Sequence, residues 1–232
     1  MNCPGMDAIP PDPGPPAPAT PGAAGGLDLR AWFGDIDIYL FDQLLKGRFR
    51  PGMRLLDAGC GTGRNLTYFL RSGFDVYAAD EDADALDHVR EMAAALAPGV
   101  PGDHFRSETV EALTFPGEYF DIVLCNAVLH FARDDDHFHA MLAGMWKTLA
   151  PGGIFFARLA SSIGMEAPRN RLPDGKNRLA AGGEWFLAGE AKLILATEKL
   201  GGEMVEPLKT VNVQNLRCMT TWILRKPGPK PR

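Results

Sequence analysis

At 232 residues the chain is long enough for one α/β domain with a full core and some terminal decoration. Its 46% hydrophobic and 23% charged residues are ordinary for a globular protein, and a net charge of −5 gives no electrostatic reason to expect nucleic-acid binding. No run of about 18 apolar residues predicts a membrane span, and no secretion signal is evident. The scattered Cys3, Cys60, Cys125 and Cys218 predict neither disulfides nor zinc, which suits a reducing cytoplasm.

Residues 1–26 are rich in Pro, Gly and Ala without an apolar period, which predicts a disordered tail. Trp32, Phe33, Ile36, Tyr39, Leu40, Leu44 and Leu45 follow at helical spacing. Broken at Gly34 and stopped at Gly47, they predict a helical cap over 27–50, with Asp35 as a capping candidate. Pro51-Gly52 turns into a strand at Leu55-Leu56-Asp57-Ala58, and the loop Gly59-Cys60-Gly61-Thr62-Gly63 leads into a helix from Leu66 to Arg71. Glycines let a backbone approach a ligand, and the N–H groups of a helix start face its negative end. The next strand, Phe74 to Ala79, ends in Asp80-Glu81. That is about 20 residues beyond the loop, the spacing at which a second strand brings a carboxylate to a ribose. The dinucleotide pattern G-x-G-x-x-G would need a third glycine where Arg64 stands.

Ala83–Leu96 is a run of good helix formers, His104–Ser107 reads as a third strand, and 108–113 reads as the turn after it. Tyr119–Asn126 is a fourth strand, its continuous apolar run being that of a strand buried on both faces. The string Asp134-Asp135-Asp136-His137-Phe138-His139 looks like a metal cluster. The following Met141, Leu142, Met145, Trp146 and Leu149 make it a helix start instead, where acids offset the macrodipole. His137 and His139 are two apart and point away from each other, so no metal site is expected. Beyond Pro151-Gly152-Gly153 comes the strand Ile154–Leu159. Segment 161–185, basic at Arg169, Arg171, Lys176 and Arg178, is either a substrate lid or a surface loop. A helix over Gly189–Leu200 and a closing pair of strands, Leu208–Val213 and Met219–Arg225, complete the domain, with 226–232 as a frayed tail.

Asp57 with the alternating glycines, the acid Asp80, and Leu149-Ala150-Pro151-Gly152-Gly153 before an aromatic strand resemble the class I S-adenosylmethionine-dependent methyltransferase superfamily. The loop and Leu129-His130-Phe131-Ala132-Arg133-Asp134 look nearest to small bacterial methyltransferases of the tellurite-resistance type. The resemblance implies an α/β, Rossmann-like three-layer sandwich over 27–225. Its seven-stranded sheet would be mostly parallel with an antiparallel last strand, helices covering both faces. It also implies S-adenosyl-L-methionine as cofactor. Gly59, Cys60, Gly61 and Gly63 would surround its methionine and ribose parts, Asp57 would meet the amino group and Arg64 the carboxylate. Asp80, with Glu81 as second choice, would accept from the ribose hydroxyls. Thr109 and Val110 would border the adenine, where the family's usual aspartate is missing, and Asn126 would lie near the reacting end.

The implied function is a cytoplasmic methyltransferase with a small-molecule acceptor. The absence of an N-P-P-Y motif argues against methylation of amide or exocyclic amino nitrogens. His130 is either a catalytic base or a histidine bonded to a neighbouring loop; Arg158 either binds an anionic acceptor or pairs with a core acid. The competing readings are a nicotinamide-dependent oxidoreductase, which lacks its third glycine and Tyr-x-x-x-Lys pair here, and a non-catalytic S-adenosylmethionine-binding protein. Oligomeric state is open.

Overall fold

The computed structural model describes residues 28–165, 177–178 and 184–228. The tail expected over 1–26, most of the 161–185 segment and residues 229–232 lie outside them. Five strands pair in parallel: β1 (Arg54–Ala58), β2 (Asp75–Asp80), β3 (Phe105–Ser107), β4 (Phe120–Asn126) and β5 (Leu149–Ala160). Their spatial order is β3-β2-β1-β4-β5. A separate two-stranded ribbon joins β6 (Asn177–Arg178) to β7 (Glu184–Trp185). The main sheet then ends with β8 (Glu203–Met204), β9 (Lys209–Val213) and β10 (Arg217–Arg225).

β10 runs antiparallel to β5, and both β8 and β9 pair with the other edge of β10. These two are halves of one edge strand, interrupted where Pro207 has no N–H to donate. The eight strands therefore fill seven positions, with the antiparallel member that the resemblance implied. The edge half at β8 was not foreseen.

Six helices flank the sheet in the described residues: α1 (Leu29–Phe33), α2 (Ile38–Leu45), α3 (Thr67–Arg71), α4 (Ala83–Leu96), α5 (Asp135–Thr148) and α6 (Glu190–Lys199). The alternation of side chains along each strand divides the core in two. Leu56, Val123, Phe155 and Trp222 face α5 and α6 through Phe138, Met145 and Leu193. Leu55, Val76, Leu124 and Phe156 face the other way, onto Leu40 of α2, Phe69 of α3 and Val89 of α4. Both faces are covered, which explains why β4 reads as an unbroken apolar run.

Aspartates start the helices that matter for the site. Asp82 caps α4 by accepting from the N–H groups of Asp84 and Ala85, and Asp134 caps α5 by accepting from His137. The cap of α2 is Asp37, not the expected Asp35, which instead pairs with Arg30. The expectation of a frayed 226–232 fails at Lys226. Its N–H donates to Gly153, its carbonyl accepts from Gly152, and its ammonium donates to the carbonyls of Trp146 and Leu149.

Candidate functional site

β1 neighbours β2 on one side and β4 on the other, so the loops leaving their carboxyl ends diverge and open a crevice between them. A cavity of about 560 Å³ fills that crevice. Its walls come from the loops after β1 (Gly59 to Thr62, and Arg64), β2 (Asp80, Glu81), β3 (Glu108 to Glu111) and β4 (Asn126 to Val128), closed by Phe131, Arg133, His137 and Met141.

The glycine loop is folded back over β2. The N–H groups of Gly59 and Cys60 both donate to the Ala79 carbonyl, at 2.8 and 3.1 Å. Gly59 has φ +75°, and a Cβ there would stand 2.4 Å from Cγ2 of Val128, so no side chain fits. Gly63 serves packing instead of the cavity: at φ +78°, a Cβ would press on Val89 of α4 at 3.0 Å. Gly61, between them, donates its N–H to Asp80 Oδ2 at 2.7 Å, while Asp80 Oδ1 accepts from Asp82 N–H at 3.0 Å. The Asp80 carboxylate is thereby fixed at the mouth of the cavity with lone pairs remaining for a ligand's hydroxyls.

Asp57 lies beneath the loop, 1% exposed, with Oδ2 lacking any partner. Burial pushes its pKa up to about 7, the nearby Arg64 guanidinium pulls it down and Asp80 adds to the rise. Asn126 lines the cavity, is buried, and has a second orphan in Nδ2, while its Oδ1 accepts from Arg64 Nη2 at 3.1 Å. Burial also drives the Cys60 thiol well above the ordinary range, which leaves it un-ionised and unsuited to nucleophilic attack.

The structure brings nine of the eleven candidate cofactor residues to the cavity wall and sets Asp57 and Gly63 behind it. The two candidate catalytic residues are not on that wall. His130 is 3% exposed, its ring lies 4.4 Å from that of Trp185, and Nδ1 accepts the Ala160 N–H at 3.4 Å. Burial lowers its pKa to about 4. A ring so weakly basic, with its acceptor nitrogen engaged, does not fit the role of general base. Arg158 likewise holds Asp37, its guanidinium 4.9 Å from the centre of the Tyr39 ring. It is the arginine paired with a core acid, the second of the two alternatives.

Other wall residues were missed. His137 accepts the Arg133 N–H at Nδ1 (3.0 Å) and donates from Nε2 to Glu111 at 3.1 Å. Against the rise that burial causes, a hydrogen bond from its own backbone N–H and the contact with His137 hold Glu111 below its ordinary pKa. Gly144 allows this wall to close, since a Cβ there would lie 2.4 Å from the Val110 carbonyl oxygen. The mid-helix glycine was the available signal.

The chain is thus an αβα sandwich with a ligand-sized crevice over an acid-flanked glycine loop. Residues 55–153 match the family described as "Methyltransferase domain". A ubiquinone biosynthesis O-methyltransferase of Chelativorans sp. (strain BNC1) is 41% identical over 105 residues, which are 45% of this chain and 39% of that protein. The chain thus spans about two fifths of the length of the curated relatives it matches.

Among solved structures, the 1,6-didemethyltoxoflavin-N1-methyltransferase of Burkholderia thailandensis, with bound 1,6-didemethyltoxoflavin and S-adenosylhomocysteine, superposes with a TM-score of 0.62. Identity is 23%, covering 81% of this chain and 76% of that one. TehB from Haemophilus influenzae has a TM-score of 0.61 at 19% identity, covering 82% of this chain and 62% of its own. Both share the fold.

Proposed function

We propose that the chain is an S-adenosylmethionine-dependent methyltransferase acting on a small-molecule acceptor. The observation that carries this reading is the pair of unpartnered buried groups, Asp57 Oδ2 and Asn126 Nδ2, flanking the glycine loop over which the cavity opens. Buried polar atoms of this kind are ordinarily satisfied, so a ligand with complementary groups is their natural partner. An ammonium suits Asp57, and a carboxylate suits Arg64. Asp80 and Glu81 suit vicinal hydroxyls. A Cβ on Gly61 would meet nothing of the chain within 4 Å, leaving space for a ligand against bare backbone. The match to a methyltransferase family over 55–153 supports the same reading.

The donor supplies a methyl group already activated on a sulfonium, and transfer is an in-line displacement. The residues present have to hold the donor, align the acceptor and exclude water. With His130 engaged elsewhere, the reading favours an acceptor that needs no strong protein base. Among the described residues no helix is long and apolar enough to cross a membrane. Cys60, Cys125 and Cys218 are free thiols, which accords with a cytoplasmic setting.

Calorimetric titration with S-adenosylmethionine, S-adenosylhomocysteine and NADH tests the proposal. Saturable binding of the two sulfur compounds without NADH is expected. NADH binding alone would replace this reading with the oxidoreductase one, which Arg64 in place of the third glycine already disfavours. Binding of the sulfur compounds with no methyl transfer to any acceptor would favour a non-catalytic binding protein.

A further inference from the structure

The most deeply buried acid in an ion pair among the described residues, Asp37, lies outside 55–153, at the start of α2. The Asp37 side chain is 1% exposed, its Oδ2 bound by Arg158 Nη1 and 3.7 Å from Arg64 Nη2. Oδ1 accepts the Tyr39 N–H at 2.9 Å, and the Asp37 N–H donates to Asn65 Oδ1 at 3.0 Å. Asn65 follows Arg64 directly and is itself buried. One carboxylate therefore faces two guanidiniums, and 47% of the Arg64 side chain stays open at the cavity. The junction between α1 and α2 is pressed onto the same region. A Cβ at Gly34 would stand 2.6 Å from Thr67 Oγ1, and Phe33 stacks on Tyr68 at 5.1 Å.

We infer that Asp37 is a positioning residue for the cavity. Through Arg64 and Asn65 it makes the docking of α2 and the binding of an anionic ligand group at Arg64 one coupled equilibrium. This rests on the reading of the cavity as the methyl donor's site. Asp37 and Asn126 hold Arg64 in one orientation, so a ligand carboxylate meets a guanidinium whose side-chain freedom is already spent. The carboxylate also neutralises the second cation facing Asp37, which removes the repulsion between Arg64 and Arg158. The effect is reciprocal: what docked α2 does for ligand affinity, the ligand does for docking.

The test is hydrogen exchange over Ile38–Leu45, with and without saturating S-adenosylhomocysteine, in the wild type, Asp37→Asn and Arg64→Gln, beside calorimetric affinity. In the wild type the ligand should slow exchange in this segment. Asp37→Asn should weaken ligand binding about tenfold and abolish the slowing. Arg64→Gln keeps the Asp37–Arg158 pair and so decides the matter if Asp37→Asn does not fold; at saturation it too should lose the slowing. Asp37 acting only on stability would lower the urea midpoint and leave affinity unchanged. Ligand-induced slowing that persists in Arg64→Gln, or an Asp37→Asn affinity within about twofold of wild type, overturns the inference. A wild type that binds no S-adenosylhomocysteine refutes the donor reading itself.

Discussion

Two buried groups titrate in opposite senses, and Asp57→Asn separates them. Asp57 is raised from 3.8 to about 7, so the native state keeps its proton longer than the unfolded chain. Its contribution is complete below about pH 4 and is lost as pH rises toward 7. A gap of about 3 units corresponds to about 4 kcal/mol. His130 is lowered from 6.5 to about 4, so its contribution is present above 6.5 and is lost as pH falls toward 4. That gap amounts to about 3 kcal/mol. In the wild type the two nearly cancel between pH 4 and 7, leaving about 1 kcal/mol of net change from this pair. Asp57→Asn removes the first and unmasks the second. Its unfolding free energy relative to wild type should therefore rise by up to about 4 kcal/mol over this range. Urea denaturation at intervals from pH 4.5 to 8 measures it, and the other titrating groups cancel in the difference. Parallel curves for wild type and variant across that range would refute the assignment of a raised pKa to Asp57.

Donor binding should release part of a proton near pH 7, because a ligand ammonium favours ionised Asp57. Calorimetry in buffers of different ionisation enthalpy detects it, and no buffer dependence would count against the contact. Asp80→Ala should weaken S-adenosylhomocysteine binding roughly 10- to 100-fold, the worth of one or two charge-assisted hydrogen bonds, with the fold retained by circular dichroism. Gly63→Ala should cost about 1–3 kcal/mol in urea unfolding, through strain at positive φ and the clash with Val89. His130→Gln should leave the pH profile of methyl transfer unchanged; loss of a titrating limb in that variant would restore the histidine as the base.

The strands, the glycine loop and Asp80 were legible because their signals are local. Period, turn chemistry and the interval from Gly59 to Asp80 all lie within one βαβ unit. The fates of His130 and Arg158 were not, since a strand's carboxyl end marks nearness to a site without saying which partner takes the side chain. Arg158 is claimed by Asp37, 121 positions earlier, and nothing in the spacing announces it. The loop wall was misread for a related reason. His137 was judged by its helix neighbours, but its ring reaches across to Glu111, on a different element. Asp35 and Asp37 are equally good caps by composition, and only the packing of the α1–α2 junction against Asn65 distinguishes them.

The position of β10 has a consequence for how this protein is made. β10 is synthesised after both β5 and the β8–β9 edge, yet is inserted between them, carrying the fully buried Trp222 with it. Until it arrives, the long β5 presents a row of unsatisfied backbone groups, and α6 lacks much of the surface it packs on. Nascent chains therefore pass through an interval with an open, apolar sheet edge, the condition in which strands pair with the wrong partner. Variants that weaken β10 should accordingly be scarce in cells through aggregation during synthesis, even where the assembled cavity would be intact.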